Sequence, residues 1–256
     1  MKRQDIQPIY TRRSQEKKSG TKVIVVGLLL LIILGIFFAK NIYQRNQLKN
    51  YPVRGVTLDQ DNGYIDFDQL RDNGVKFVYL KATQGAAFSD DSFGSNYQRS
   101  QGALIPVGVY HYFSFSSSPK DQFNNFIQQV KYNTGSLPIM IQVQYYAGYD
   151  SENVKWKKTS GQIYQLVKLL INYYKRPVII SANQQIIKSI GIQKGKYLEY
   201  WFADGKPNQG NSGAAFISNN QSQRYILDHQ SVSLPLVLFN GSTKKWHQYL
   251  DTMVDK

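Results

Sequence analysis

Apolar residues fall into two regimes along the chain. Val23 to Ala39 is an unbroken apolar run, VIVVGLLLLIILGIFFA, whereas from Val53 onward short apolar stretches alternate with segments of helical spacing. Strands are predicted at Val53–Leu58, Phe77–Ala82, Ile105–Phe113, Val178–Ser181, Tyr200–Ala203 and Tyr225–His229, where β-branched and aromatic residues cluster. Helices are predicted at Phe67–Asn73, Phe93–Gln101, Asp121–Tyr132, about Ser160 to Tyr174, and Thr243–Leu250; Phe123, Phe126, Ile127 and Val130 give one of them its apolar stripe. Thr83 to Asp91 reads as a loop. Strands and helices in alternation argue for an α/β fold with a parallel sheet covered by helices, and over roughly 200 residues a barrel closes such a sheet economically.

One strand breaks the apolar rule. In Leu137-Pro138-Ile139-Met140-Ile141-Gln142-Val143-Gln144-Tyr145-Tyr146, side-chain alternation puts Ile139, Ile141 and Val143 on one face and Met140, Gln142 and Gln144 on the other. Two amides in succession on one face, followed by two tyrosines, suit the floor of a polar pocket at the carboxyl end of a barrel strand.

The long apolar run divides the chain into a basic tail (1–22), a transmembrane helix (23–39), a polar linker (40–52) and a folded domain (53–252). Seventeen residues at ~1.5 Å each span about 25 Å, and Lys22 and Lys40 lengthen the reach by snorkelling. A cleavable signal peptide is the competing reading. Phe37-Phe38-Ala39 places a ring where a cleavage site needs a small residue, which favours an uncleaved anchor. Seven Lys/Arg residues precede the run, so the positive-inside rule predicts a cytoplasmic N-terminus and an extracellular domain. The tail carries no hydrophobic periodicity and is expected to be disordered.

Charge follows the same division. Residues 1–50 hold ten Lys/Arg against two Asp/Glu, so much of the net +14 flanks the apolar run and has a topological rather than a nucleic-acid explanation. The surplus on the remaining residues is either a solvated face or a preference for anionic surfaces such as teichoic acid or lipid headgroups. The absence of cysteine excludes disulfides and thiolate metal sites, and fits the exterior of a Gram-positive bacterium. No His/Asp/Glu spacing suggests a metal, and no phosphate loop suggests a nucleotide cofactor. Nineteen tyrosines suit a carbohydrate-facing surface and equally a wet extracellular domain.

Several segments, taken in order, resemble glycoside hydrolase family 25, the lysozymes (N-acetylmuramidases). They are Gly55-Val56-Thr57-Leu58-Asp59 with Gly63-Tyr64-Ile65-Asp66-Phe67, Gly74 to Ala86, Asp91-Ser92-Phe93 with Asn96-Tyr97, and Val107-Gly108-Val109-Tyr110-His111-Tyr112-Phe113. Asn125-Phe126-Ile127, Leu137-Pro138 with its strand, Pro177 to Ile180, Trp201-Phe202-Ala203, His229-Gln230 and Leu238-Phe239-Asn240-Gly241 continue the likeness over nearly all of residues 53 to 250. The resemblance implies that family's modified TIM-like (β/α) barrel, with peptidoglycan or another cell-wall glycan as ligand.

The departures from the family pattern all run one way. Thr57 stands where the family has the aspartate of Gly-Ile-Asp-Val-Ser, Gln142 and Gln144 replace its Asp-x-Glu, Gln84 replaces a glutamate, and Leu234-Pro235-Leu236-Val237 replaces Val-Asp-x-Asn. Glycosidic cleavage needs a proton donor and usually a second carboxylate; an amide hydrogen-bonds but delivers no proton at neutral pH. The resemblance thus implies a pseudoenzyme with degenerate positions Thr57, Gln142, Gln144 and Pro235. Its glycan contacts would come from Thr57, Asp59, His111, Gln142, Gln144, Tyr145, Tyr146, Trp201 and Asp204. His111 reads equally as pocket wall or hydrogen-bonded core. Two alternatives stand beside this reading: an active muramidase with displaced acids (Asp59, Asp204 or Asp228), and a scaffold for envelope proteins that leaves the pocket unused.

Overall fold

The computed structural model describes residues 13–208, 211–218 and 221–254, and the chain divides into two compact units, one up to Lys49 and one from Asn50. The expected disorder of residues 1–12 lies outside the described residues. The first unit is a single helix, α1 (Arg13–Leu48), which contains an 18-residue window, Lys22–Ala39, long and apolar enough to cross a membrane. It overruns the apolar run at both ends, so residues 13–22 are helical where disorder was expected, and much of the linker is helical too. No proline lies between Pro8 and Pro52, and once a helix is nucleated each further residue adds a hydrogen bond at little cost.

The second unit is an eight-stranded closed barrel wrapped by helices. Its strands are β1 (Arg54–Leu58), β2 (Phe77–Gln84), β4 (Val107–Tyr112), β5 (Ile139–Gln142), β6 (Val178–Ala182), β7 (Leu198–Phe202), β8 (Ala214–Ile217) and β10 (Gln230–Phe239). All neighbours pair in parallel except β10, which runs antiparallel to β8 and to β1 and so closes the circle. Two short strands are additions: β3 (Phe88–Ser89) folds back on the end of β2 inside the expected loop, and β9 (Ser222–Leu227) forms a hairpin with the first half of β10. The helices α2 (Phe67–Asp72), α3 (Phe93–Gly102), α4 (Pro119–Val130), α5 (Trp156–Tyr174) and α6 (Gln184–Ile190) follow β1, β3, β4, β5 and β6 respectively.

Aromatic side chains fill the barrel. Phe77 and Tyr79 from β2, Trp201 from β7, Phe216 from β8 and Phe239 from β10 meet in edge-to-face and tilted pairs with centroids 5.2 to 6.3 Å apart. Two glycines make room for them: a Cβ at Gly55 would overlap the ring of its cross-strand partner Phe77, and one at Gly108 that of Tyr79. The end where the parallel strands begin is plugged by α7 (Thr243–Val254), whose Trp246 packs on Phe77 and Phe239 and whose Tyr249 donates to Glu199 at 2.6 Å. With the base closed, the open mouth lies at the carboxyl ends of the strands.

The β9–β10 hairpin was expected as one strand through His229. Instead Asp228 and His229 both take left-handed φ values, 49° and 63°, as a two-residue type I′ turn demands. The Gln69 side chain of α2 holds this tip, accepting from the Asp228 N–H at 2.8 Å and donating to its carboxyl.

Candidate functional site

At the mouth, the even-numbered face of the central strand turns inward as its alternation requires. Met140, Gln142 and Gln144 line a cavity of about 260 Å³, while Ile139, Ile141 and Val143 are buried on the other face. That volume lies just below the usual range for ligand sites, about 300–1,000 Å³. Thr57 and Asp59 enter from β1 and the turn after it, Tyr110 from β4, Ser181 from β6, Trp201 from β7, Ser218 beyond β8, and Pro235 to Val237 from β10. The four positions read from sequence as substituted acids, Thr57, Gln142, Gln144 and Pro235, therefore converge on one cavity although they are scattered over almost 180 residues of chain.

The amides engage each other. Gln142 Nε2 donates to Gln144 Oε1 at 3.2 Å, which leaves one amide's oxygen and the other's nitrogen to face the cavity. Asp59 is the one carboxyl side chain among the described lining residues. It also caps the short 3-10 turn Gln60–Asn62, its Oδ1 accepting from the Asp61 N–H at 3.1 Å while Asn62 Oδ1 accepts from the Asp59 N–H at 2.9 Å. The Tyr110 phenol is pushed far up by burial, with Asp59 adding to the shift, so it works as a neutral hydrogen-bonding group. Trp201 is almost fully buried, its indole N–H donating to Ser218 Oγ at 2.9 Å, and forms part of the cavity wall.

Other residues named from sequence lie elsewhere. Tyr145 and Tyr146 join Phe115, Tyr149 and Trp156 in an aromatic group built from the loops after β4 and β5 and the first residue of α5. Tyr146 Oη accepts from the Phe115 N–H at 2.9 Å and so ties the two loops together. Asp204 is exposed and accepts from the Gln184 N–H at 2.9 Å at the start of α6; Gln84 accepts from Lys81 Nζ at 3.1 Å at the end of β2. Neither lines the cavity.

His111 also lies outside it, for a simple reason: Tyr110 faces the barrel interior, so its neighbour on β4 must face out, towards α4, where the ring meets Phe126 edge-on. Its Nδ1 lies 2.8 Å from Thr83 Oγ1 and its Nε2 3.0 Å from Gln122 Oε1. Gln122 Nε2 donates to Ser114 O and Ser117 O, which fixes the amide orientation and leaves Oε1 an acceptor. The His111 proton therefore sits on Nε2, and Nδ1 accepts from Thr83. Burial lowers its pKa to about 4, against a smaller upward pull from the Gln122 hydrogen bond. Among the lining residues, Ser181 and Ser218 were not named from sequence. Ser181 merely ends an apolar strand, and Ser218 follows a strand hidden between Gly213 and the polar run after Ile217.

The model of glycosyl hydrolases family 25 matches residues 58–225, about two thirds of the chain. The chain belongs to this family. A family 25 glycosyl hydrolase from Bacillus anthracis superposes with a TM-score of 0.68 at 25% identity, over 78% of this chain and 94% of that one. A bacterial lysozyme from Streptomyces coelicolor, 19% identical, gives 0.62 over 78% and 98% and supports the family fold alone. Among sequence relatives, the uncharacterized protein YegX of Escherichia coli O157:H7 is 27% identical over 213 residues, covering 79% of this chain and 75% of that protein. The autolytic lysozyme of Clostridium acetobutylicum is 22% identical over 165 residues, 64% of this chain and 49% of that one. The family barrel expected from the sequence is thus the barrel observed.

Proposed function

We propose that this family 25 protein is a membrane-anchored, extracytoplasmic pseudoenzyme that holds peptidoglycan, or a related cell-envelope glycan, without cleaving it. The observation that carries the reading is the convergence of Thr57, Gln142, Gln144 and Pro235 on the mouth cavity. An amide pair offers donors and acceptors to sugar hydroxyls and acetamides but no transferable proton. General acid–base assistance is worth about 10²–10⁴-fold, and charge stabilisation several kcal/mol more, so hydrolysis without either is negligible. The apolar window of α1 and the basic residues before it support an anchor with the barrel outside the cell. The domain limits follow: tail 1–22, span 23–39, linker 40–52 and barrel 53–252.

The test is co-sedimentation of the full chain with purified peptidoglycan, with muropeptide release measured in parallel. Binding without release is expected, weakened in Trp201→Phe, which releases Ser218 Oγ from the indole N–H and reshapes the cavity wall while keeping an aromatic ring in place. Vigorous release by the unmodified chain overturns the proposal. One observation favours a second reading, an active muramidase with a displaced acid: Asp59 lines the cavity. In that case Asp59→Asn abolishes the release.

A further inference from the structure

The barrel's charge is sorted along its axis. At the base, where the parallel strands begin and their helices end, Lys76, Lys131, Lys175, Lys194, Lys244 and Lys245 are exposed, against the acids Asp72, Glu199 and Asp251. The loops and helix starts of the mouth carry more acids than bases: Asp61, Asp91, Asp121, Asp150, Glu152 and Asp204 besides Asp59 stand against Lys120, Lys155, Lys157, Lys158 and Lys206.

The base also bears the two most exposed large hydrophobic side chains of the barrel unit, Leu104 and Tyr132, each 86% exposed. Leu104 follows α3 with a left-handed φ of 54°, a conformation that costs a leucine energy and that glycine or asparagine would take more cheaply. Tyr132 follows α4 directly after Lys131. The two loops are neighbours, since Leu104 and Ser136 line the same recess of about 510 Å³ with Arg176. On its other side Leu104 shares a recess of about 390 Å³ with Lys76, His247 and Pro52. Pro52 lies four residues after the end of α1.

We propose that the base of the barrel is a docking face for an anionic phospholipid bilayer. Leu104 and Tyr132 enter the interface, and the surrounding lysines meet headgroup phosphates. A leucine, a tyrosine and a lysine ring together match the apolar, amphipathic and charged layers of a membrane surface. The chain enters the barrel on this same face from a helix apolar enough to span. Docking in this way turns the mouth cavity away from the lipid. The inference rests on the anchor reading above and is tested apart from it.

The chain contains no cysteine, so a single introduced thiol labels cleanly. The full chain is reconstituted in nanodiscs of phosphatidylcholine, or of phosphatidylcholine with about a third phosphatidylglycerol, carrying an environment-sensitive dye at Leu104→Cys, Tyr132→Cys or, as the mouth reference, Glu152→Cys. The expected result is blue-shifted emission and quenching by spin-labelled lipid at positions 104 and 132 in the anionic discs, reversed by salt, with position 152 unchanged. Lys76→Gln, Lys244→Gln and Lys245→Gln together return the signal to its neutral-disc level, each lowering the docked-to-undocked ratio about fivefold. A chain that enters the disc but keeps position 104 in water in both lipids overturns the docking face alone. A chain that does not enter the disc overturns the anchor and the docking face with it.

Discussion

Acid should loosen the mouth of this barrel through a residue that does not touch the cavity. His111 is buried and neutral, and its partner Gln122 holds the loop after β4 by three further hydrogen bonds, to Ser114 N, Ser114 O and Ser117 O. That loop carries Phe115, the hub of the aromatic group. Burial lowers the folded pKa to about 4 from the ordinary 6.5, so the unfolded chain takes up a proton first as pH falls. The stability this represents is fully present above pH 6.5 and is lost as pH drops towards 4; the difference of about 2.5 units corresponds to about 3 kcal/mol, and roughly 2 kcal/mol of that has gone by pH 5. The assay is denaturant unfolding of the full chain in detergent from about pH 7.5 to 4.5, beside His111→Gln, which keeps a polar group but cannot titrate. The remaining titratable groups contribute equally to both proteins, so the difference between the two curves isolates His111. It should be largest near neutral pH and shrink by about 2 kcal/mol at about pH 5. A difference independent of pH, or a His111 resonance titrating at its ordinary value, would refute the reasoning.

Two further outcomes follow from packing and pairing. Gly108→Ala drives a methyl group into the Tyr79 ring inside a filled barrel, and should cost about 1–3 kcal/mol, read as a lower melting temperature in a thermal scan. Gln69→Ala removes both hydrogen bonds to Asp228, so the β9–β10 hairpin should exchange amide protons faster and be cut sooner by protease at Asp228-His229, with the global unfolding midpoint nearly unchanged.

What the sequence revealed and what it hid differ by physical cause. Six of the seven parallel strands were legible because each is a short β-branched or aromatic run between helical segments, and Gln142 and Gln144 because alternation alone puts them on one face; the seventh, β8, was hidden because four apolar residues between Gly213 and a polar run carry no such signal. The closing strand β10 was not: Pro235 sits inside it, and a proline normally argues against a barrel strand. It is tolerated because β10 changes partner there, pairing with β9 up to Pro235 and with β1 from Leu236. The turn before it lacks the glycine that marks a type I′ hairpin, so Asp228 and His229 read as strand. Asp204 shows the opposite case: a lone aspartate at a strand end reads as chemistry, and in the structure it stands outside the cavity and holds the first N–H of α6. The side of His111 was within reach, since two adjacent strand residues cannot share a face and Tyr110 was equally visible.

The same cavity yields the experiment with the most leverage, because the acids that family 25 resemblance places at its mouth would be costly to reinstall. In Thr57→Asp, Gln142→Asp, Gln144→Glu, the 3.2 Å contact between the two amides loses its donor and becomes a meeting of two acceptors. Two like charges about 4 Å apart at an effective dielectric of about 20 repel by roughly 4 kcal/mol; relaxation and the shorter aspartate reduce this, so about 1–3 kcal/mol of stability should be lost near neutral pH. Repulsion raises the folded pKa of one carboxyl above its unfolded value, so the loss is present above that folded pKa and is relieved as pH falls below it. Thermal melts of the triple variant and the parent at about pH 7 and about pH 4.5 should therefore converge on acidification, while turbidity of a cell-wall suspension shows lysis gained by the variant at the higher pH. If the three carboxyls cost nothing near neutrality, they do not face one another, and the cavity is not where a family 25 active site would stand. If they cost stability and give no lysis, the cleft has lost more than its charges, and binding has to be explained by the amides and the aromatic loops alone.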